Sequence, residues 1–515
     1  MTFSTFHGLE VAKKALFAQQ RGLYTTGHNI SNVNTDGYSR QRVNFETSIP
    51  YPPRAFYKPK IPGQFGTGVE IGTIQRIRDE FLDFQYRIEN SRVSYWEKRS
   101  EALSRMEELL NEPSENGLSK TLDQFWQALQ DLTDDVQNPG ARSVVAQRAL
   151  AFAETFNHYS RSLQSIQTDL KEQIDVNVGR INSLVRQINA INEQIVKIEP
   201  HGMLPNDLYD ERDRLIDELS DFVNIKVHYT SSSPGSLEIA DGLASIELLD
   251  DRGHSIGDGV FLLDIENADS IQDAINELTI GEDADTGAIT GIYVEGHDDL
   301  NDLSLLESTG RLKALIETYG YIDDNGEVVG DYPEMLANLD QMANAFAEAF
   351  NAQHAQGVNL SDDGVIPDFF VTNDGSAEFT AENITVNKAI LDNPNLIAAS
   401  LPEEGSQNAN NALELAKLFD EGLEGLDGAS VRSFYTKLIG ELGVEGQEAS
   451  RMVENTNILR AQVHDQRRSV SAVSLDEEMT NLIKFQHAYN AAARSMTTLD
   501  EMLDRIINNM GLVGR

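Results

Sequence analysis

Residues that could carry catalysis or hold a metal ion are numerous in this chain of 515 residues, but they form no recognisable site. There is no cysteine, which excludes disulfides, thiolate catalysis and cysteine-ligated metals. Asp283, Asp285 and Gly287 have the spacing that begins a calcium loop, yet the twelfth position is Val294 rather than glutamate. No phosphate-binding P-loop or zinc-binding H-E-x-x-H motif occurs. The sequence therefore predicts no catalytic residue, no cofactor and no strong metal site, and leaves a weak calcium site as an open alternative.

A different chemistry, the burial of apolar side chains between helices, gives a clear signal near the C-terminal end. Between Leu475 and Met510 the chain alternates steps of four and three residues along one helical line, with Gln486 and Asp500 as polar positions. A repeat of 3.5 residues kept over about five heptads is typical of a helix that packs lengthwise on another helix. An ordinary amphipathic helix on a globular core is the alternative.

The N-terminal segment has a thinner stripe of the same kind. Leu9, Leu16, Leu23 and Ile30 recur every seven residues, with small or polar residues between them. Residues 9–30 are therefore expected to form a helix. Because neither end of the chain has a local core on which to bury its stripe, we expect the two ends to pack on each other and on neighbouring molecules.

The residues that follow this helix are suited to ending it and turning the chain. Asn29, Asn32 and Thr35 can satisfy backbone groups at a helix end, and Gly37 permits a turn with positive φ. Tyr38 supplies an amphipathic side chain for packing. Taken alone, this run predicts an ordinary helix end followed by a turn.

The net charge of −42 is concentrated in the middle of the chain. Residues 201–430 contain 48 acidic and 8 basic residues, whereas the rest of the chain is almost neutral. A strongly acidic surface repels nucleic acid and anionic lipid, so we expect neither nucleic acid nor a membrane as a partner. If copies of the chain assemble, the nearly neutral ends are the better candidates for contact.

The chain between the two ends is predicted to be helical first and mixed afterwards. Residues 79–199 read as several helices, of which the longest covers about 141–199. Residues 203–430 alternate short helices with strands, including one at Leu237 and Ile239, separated by Asp- and Gly-rich turns. The proline-rich stretch at 50–62 predicts an extended or irregular segment.

Several stretches resemble known sequences. Asn29–Gln41 is similar to the N-terminal signature of flagellar axial proteins, the family of rod, hook and hook-associated proteins. Ser469–Arg494 resembles the C-terminal helix of the hook-associated members. The internal stretches 206–213 and 351–357 resemble the same members, whereas 228–305 has no match that we can name.

The resemblance implies a structural subunit of the bacterial flagellum, located at the hook–filament junction, and not an enzyme. Its implied partners are further copies of itself in a ring, the hook protein, the next hook-associated junction protein and an export chaperone bound to the C-terminal helix. It would act outside the cell after export through the flagellar apparatus without a cleaved signal peptide, in agreement with the sequence Met1–Gly8. The alternatives are another axial protein of the hook, rod or filament type, or an enzyme carried on the outer domain.

The predicted fold is a multidomain α+β architecture. An elongated helical bundle formed by the N- and C-terminal regions carries inserted, mostly-β outer domains. The expected domains are 1–60 with 470–515 as terminal axial helices, 61–202 with 429–469 and optionally 333–356 as a long-helix bundle, and 203–332 with 357–428 as acidic outer domains.

The predicted assembly interface combines the two terminal stripes with the turn signature. Its residues are Leu9, Leu16, Leu23, Asn29, Ile30, Asn32, Thr35, Gly37, Tyr38, Leu475, Met479, Leu482, Tyr489, Ala493, Met496, Leu503 and Ile507.

Overall fold

A computed structural model describes most of the chain. The described residues are 6–50, 65–110, 117–284, 286–296, 308–323, 325–361, 366–402 and 408–509. Of the sequence predictions, the proline-rich stretch after Pro50, the calcium-loop position Asp285 and the seam residue Met510 lie outside these ranges.

Eleven helices and eleven strands are used below. The helices are α1 His7–Ser31, α2 Glu80–Leu110, α3 Leu118–Asp134, α4 Pro139–Ile198, α5 Asn206–Leu219, α6 Arg311–Tyr319, α7 Asp331–His354, α8 Lys388–Asp392, α9 Asn410–Lys417, α10 Val431–Ser471 and α11 Leu475–Asn509. The strands are β1 Gln41–Thr47, β2 Val69–Arg76, β3 Ile225–Thr230, β4 Leu243–Leu249, β5 Ser255–Leu263, β6 Leu278–Glu282, β7 Ile289–Val294, β8 Tyr321–Ile322, β9 Val328–Val329, β10 Phe370–Thr372 and β11 Ile384–Val386.

The first and last helices of the chain pack in antiparallel pairs. In α1 and α11, Gly8 faces Leu499 and Gly22 faces Phe485, so the two helices run in opposite directions. In the second pair, α2 and α10 pack along their length in the same antiparallel sense. None of the helices within the described residues is both long and apolar enough to cross a membrane.

The longest element, α4, has 60 residues and is therefore about 90 Å long. It begins at Pro139, where the Asn138 side chain accepts a hydrogen bond from Gly140 N at 2.9 Å. It continues without a break through Leu170 and Ile174, where the apolar repeat changes phase. Gly202, with a φ of 71°, reverses the chain after the helix.

The inserted strands form small sheets. β3, β4 and β5 make an antiparallel three-stranded sheet, and β6 to β9 make a four-stranded sheet in which β7 and β8 are parallel. The prediction of a strand at Leu237 and Ile239 is wrong, because these residues lie in a turn. The neighbouring strand β4 has all seven residues buried, so it lacks the alternation by which a half-exposed strand is recognised.

One apolar core connects the bundle helices with the inserted sheets. It extends from Ala102 in α2 to Ala449 in α10 and includes residues of both the long helices and the sheets. At its centre the ring of Phe125 lies 5.3 to 6.4 Å from six other phenylalanine rings. We refer to α2–α10 with β3–β11 as the body.

Asparagine side chains attach the long helices to the inserted segments. Asn182 of α4 accepts from Leu278 N at 2.9 Å and donates to Leu278 O at 2.8 Å. Asn192 does the same for Ala244, at 3.2 and 3.0 Å. Each amide thus pairs with the backbone of a strand residue as a neighbouring strand would, and satisfies groups that burial would otherwise leave unpaired.

The remaining elements form a separate group, which we call the terminal unit: α1, β1, β2 and α11. β1 and β2 pair as an antiparallel hairpin, and α1 packs on both strands and on α11. The domain boundary expected at residue 60 falls between β1 and β2, the two strands of this hairpin. Within the described residues, no element of this unit packs extensively on an element of the body.

Candidate functional site

The contact between α1 and α11 depends on small residues of α1. Ala12, Ala18 and Gly22 are buried, and a Cβ atom added to Gly22 would lie 3.1 Å from the ring of Phe485. That ring also stands edge-on to Phe45 of β1, with the centroids 5.8 Å apart. The two helix backbones therefore approach closely, and the hairpin closes one side of the seam.

Beside the side of α11 that packs on α1, further apolar side chains are left uncovered by the part of the chain that the structure describes. Leu475, Met479 and Ile483 follow one another at intervals of four residues, and Met479 has 57% of its surface exposed. Met502 and Ile506 are also exposed; they lie toward the side of α11 that faces α1, but beyond Leu499, which packs on Gly8 at the start of α1. We call these exposed residues of α11, together with Ile507, the open stripe. On α1, Phe17 and Tyr24 are also exposed. Groups of exposed apolar side chains of this kind are typical of a protein contact surface.

The predicted seam residues divide between these two surfaces. Leu503 is buried, whereas Leu475, Met479 and Ile507 are exposed. The other apolar residues of the prediction are half-buried: Leu9, Leu16, Leu23, Ile30, Leu482, Tyr489, Ala493 and Met496. One line in the sequence therefore contains residues of the covered seam and of the open stripe.

Several residues of this surface were missed by sequence reasoning. Phe485 and Leu499, which contact the glycines of α1, each lie one residue before a position of the expected line, Gln486 and Asp500. Ile483 and Ile506 of the open stripe were also overlooked. The spacing of small residues in α1, from Gly8 onward, was the signal that could have located the covered seam.

The turn after α1 is held by a network centred on Asn29. Its side chain donates to Gln41 O at 2.8 Å and accepts from Gln41 N at 3.0 Å. The Tyr38 hydroxyl donates to Asn29 Oδ1 at 2.7 Å and lies 2.9 Å from His28 Nδ1. Burial, followed by the charges of Asp210 and other nearby carboxylates, raises the pKa of Tyr38, so its hydroxyl keeps its proton.

The other residues of the turn signature stabilise the backbone locally. Asn32 donates to His28 O at 3.1 Å, and Thr35 donates to Asn32 Oδ1 at 3.1 Å. Gly37 has a φ of 77°, and a Cβ atom there would lie 3.4 Å from the Arg214 side chain of α5. The turn therefore ends α1 and brings the chain against the body.

A buried carboxylate lies between α1 and the start of α11. Glu478 accepts hydrogen bonds from Asn29 and Thr26 of α1. It is 4% exposed, and burial raises its pKa in spite of these bonds and the charge of Arg40. Arg40 is also paired with Glu477, and its backbone N–H donates to Ser471 O at 2.9 Å. The signature turn thus fixes the position at which α11 begins.

A cluster of arginines and aspartates lies beside this turn, around α5. Arg76 of β2 is 3.0 Å from Asp210 Oδ1 and 2.7 Å from Asp213 Oδ2. Asp213 is also paired with Arg78 and Arg87. Burial alone would raise the pKa of Asp213, but these guanidinium groups outweigh burial and hold the pKa well below its usual range. Asp213 is therefore ionised throughout the physiological pH range.

Metal binding has no support among the described residues. No group of three histidine, aspartate or glutamate side chains within them is arranged to hold a metal ion. Asp283, the first position of the calcium-loop candidate, accepts hydrogen bonds from Thr286 N and Oγ1 at 2.9 and 2.7 Å, as in an ordinary turn.

Comparison with known proteins identifies the family. Residues 103–370 match the flagellar hook-associated protein FlgK helical domain, 9–38 match the flagella basal body rod protein family, and 467–510 match the flagellar basal body rod FlgEFG protein C-terminal family. Flagellar hook-associated protein 1 of Bacillus subtilis is 45% identical over 99% of this chain and 100% of its own length. The chain belongs to the flagellar hook-associated protein 1 family. The Escherichia coli protein of the same name is 24% identical over 96% of this chain and 98% of its own.

The fold has a counterpart among solved structures. The flagellar hook junction protein FlgK from Burkholderia pseudomallei superposes with a TM-score of 0.56, at 14% identity, covering 76% of this chain and all of that one. The predicted fold class, terminal helices that pack together with inserted sheets, is confirmed by this likeness.

Family membership also confirms the predicted function. The chain is a structural protein of the hook–filament junction of the bacterial flagellum, and its family is not a family of enzymes. As a flagellar axial protein it belongs to the extracellular flagellum and has partners in flagellar assembly. The two family matches at the ends cover most of α1 with the turn signature, up to Tyr38, and all of α11, which are the helical parts of the terminal unit.

Proposed function

We propose that the chain forms the junction by packing its open stripe, together with the exposed apolar side chains of α1, on further copies of itself and on its axial neighbours. The observation that supports this is the exposure of Leu475, Met479 and Ile483 along one line of α11, away from Phe485, which packs on α1. The interface would also include the turn signature, Asn29 to Tyr38, which fixes the start of α11.

The size of the open stripe bears on how many neighbours are needed. Burying a large apolar side chain fully contributes about 1.5–3 kcal/mol, so side chains that are already half-covered contribute about 1 kcal/mol each. The six residues of the stripe would then supply roughly 6 kcal/mol. Association of two molecules costs about 4–15 kcal/mol. Contact with one neighbour is therefore marginal, and this favours a closed ring in which every copy has several neighbours.

The specific partners are part of the proposal. Copies of the chain would form a ring between the hook protein and the next hook-associated junction protein, with the acidic body facing solvent. An export chaperone would cover α11 before assembly, since the open stripe is the apolar surface that needs protection. Nucleic acid and membranes are not proposed as partners, because a net charge of −42 repels both polyanions and anionic lipid.

The proposed division of the chain follows from the same reasoning. The terminal unit, α1, β1, β2 and α11, would form the axial layer, the long helices around α4 and α10 would form the bundle, and the segments 203–332 and 357–428 would form the acidic outer part. Export through the flagellar apparatus without a cleaved signal peptide is proposed on the basis of the family.

A charge placed in the open stripe tests the proposal. Met479→Glu should prevent assembly, whereas Gln486→Glu adds the same charge to an exposed polar site of α11 and should be tolerated. Each variant is expressed in cells that lack the native protein. We expect Met479→Glu cells to keep their hooks and release monomeric filament protein into the medium. Filament-bearing hooks at the parent frequency would refute the role of the stripe.

A further inference from the structure

The connection between the terminal unit and the body is polar. In the part of the chain that the structure describes, the continuous apolar core contains no residue of α1, β1, β2 or α11. Most contacts across the connection are hydrogen bonds and ion pairs, and most of these are made to α5. We propose that Arg76 and the carboxylates of α5 are positioning residues that set the orientation of the α1–α11 pair relative to the body. This rests on the proposed function, because the orientation matters only if α11 is the assembly surface.

Three carboxylates of α5 contact the terminal unit from one side of the helix. Asp207 accepts from Gln41 Nε2 at 3.1 Å, and Asp210 accepts from Ser39 N at 3.1 Å. Arg76 of β2 bridges Asp210 and Asp213 and is also paired with Asp241. Steps of three residues keep these aspartates on one face of the helix.

The same face of α5 is fixed to the body. Asp213 is 3.4 Å from Arg87 of α2, and Asp217 is 2.9 Å from Arg87. Asp217 also binds Arg467, in the last turns of α10 before α11 begins, at 2.5 Å. The Arg467 guanidinium lies 4.8 Å from the centre of the Tyr86 ring. α5 is therefore a bridge, with Asp213 shared between a cation of the terminal unit and a cation of the body.

Buried ion pairs are suited to setting an orientation because they hold their partners in one relative position. An apolar contact tolerates sliding, whereas a buried guanidinium or carboxylate that loses its partner is left uncompensated. The side chains of Arg76 and Asp213 are only 7% and 2% exposed, so neither can exchange its partner for water in another orientation. At Asp210, burial raises the pKa although Arg76 and Ser39 oppose it, so this carboxylate depends on the pairing to stay charged.

The orientation has a large effect at a distance. α11 has 35 residues and is therefore about 52 Å long. A rotation of about 10° at its start would move its far end, near Ile506 and Ile507, by about 9 Å, given that length. A displacement of this size would separate the distal part of the open stripe from any neighbour that the proximal part had contacted.

The absence of cysteine from the chain permits a direct test in the full-length protein. Gln462→Cys on α10 and Lys484→Cys on α11 replace exposed residues and would carry spin labels. Helical rise and the short linker keep these sites within about 45 Å of each other, which is measurable by pulsed electron resonance. We expect a single narrow distance distribution for this doubly labelled parent protein.

Two variants and one control decide the proposal. Arg76→Gln removes the bridging cation, and Asp210→Asn removes one charge while keeping an acceptor for Ser39 N. Arg42→Gln removes an exposed arginine of the same hairpin and serves as the control. Far-UV circular dichroism and thermal melting confirm that the body is folded. We expect the distance distribution to become at least twice as wide for Arg76→Gln and Asp210→Asn and to be unchanged for Arg42→Gln.

Distance distributions as narrow as the parent's in both Arg76→Gln and Asp210→Asn would overturn the proposal. If Arg76→Gln fails to fold, the milder Asp210→Asn provides the same readout. In cells, we expect Arg76→Gln to reduce the fraction of filament-bearing hooks at least tenfold. If Met479→Glu leaves that fraction unchanged, the proposed function fails, while the spin-label distances still decide whether Arg76 and the carboxylates of α5 set the orientation. If Met479→Glu prevents assembly but both Arg76→Gln and Asp210→Asn keep narrow distance distributions, only the positioning role is refuted.

Discussion

Replacing Gly22 by alanine tests how closely α1 and α11 approach each other. An added Cβ atom at Gly22 would lie 3.1 Å from three atoms of the Phe485 ring, which is tighter than ordinary van der Waals contact. Gly27, one and a half turns further along the same helix, has no atom within 4 Å of the corresponding position. Gly27→Ala is therefore a matched control with the same change in helix propensity and no steric conflict.

The expected magnitudes follow from these two surroundings. A glycine-to-alanine change in a helix interior stabilises the helix by about 1 kcal/mol. At Gly27 this gain should appear in full. At Gly22 the overpacking of a close contact costs about 1–3 kcal/mol, so the net effect should lie between about zero and a loss of 2 kcal/mol. The two variants should thus differ by about 1–3 kcal/mol in the free energy that opens the terminal pair.

Hydrogen exchange followed by mass spectrometry measures this opening directly. A difference of about 1–3 kcal/mol corresponds to a roughly 5- to 150-fold difference in exchange rate for the backbone amides of α1 and α11. Exchange in the body should be the same in both variants, because the core contains neither glycine. Equal protection of α11 in Gly22→Ala and Gly27→Ala would show that the helices are not packed at this distance.

Two further predictions concern the body. Burial lowers the pKa of His354 to about 4, and its neutral ring accepts a hydrogen bond from Ala398 N at 2.9 Å. Because the unfolded chain binds this proton more readily, the stability that neutral His354 contributes is present above pH 6.5 and is lost as the pH falls. The loss should be about 2 kcal/mol at pH 5. Thermal melting at pH 7 and 5 should show this loss, and His354→Gln should flatten it. Asn192→Ala leaves both backbone groups of Ala244 unpaired and should cost about 2–4 kcal/mol in chemical denaturation, against less than about 0.5 kcal/mol for the exposed Gln187→Ala.

The long helices could be predicted because their apolar stripes are periodic. The segments expected at 9–30, about 141–199 and from 475 onward correspond to α1, α4 and α11 within a few residues. Their boundaries agree with local signals, such as the asparagine cap before Pro139. The side of α11 that faces α1 could not be predicted in the same way, because a helix with apolar residues on two sides offers more than one line with a 3.5-residue period.

The strands, and the polar connection between the terminal unit and the body, gave weaker signals in the sequence for different reasons. β4 is buried on both faces, so it has no alternation of apolar and polar residues. The ion pairs that join α5 to β2, α2 and α10 connect residues that are more than 100 positions apart, such as Arg76 and Asp213, and a chain with 83 carboxylates offers many equivalent choices. The steps of three from Asp207 to Asp213 are visible in the sequence, but nothing local to them identifies the cations that bind these carboxylates.

The asparagine pairs of α4 have a consequence for how freely the outer part of this protein can diverge. An amide that binds both the N–H and the C=O of Leu278 or Ala244 recognises the main chain and is indifferent to the side chain. The strands it holds can therefore change their sequence, and the loops between them can change length, without losing their attachment. The helix α4 can in this way keep its length and direction while the segments attached to it present different surfaces to different surroundings.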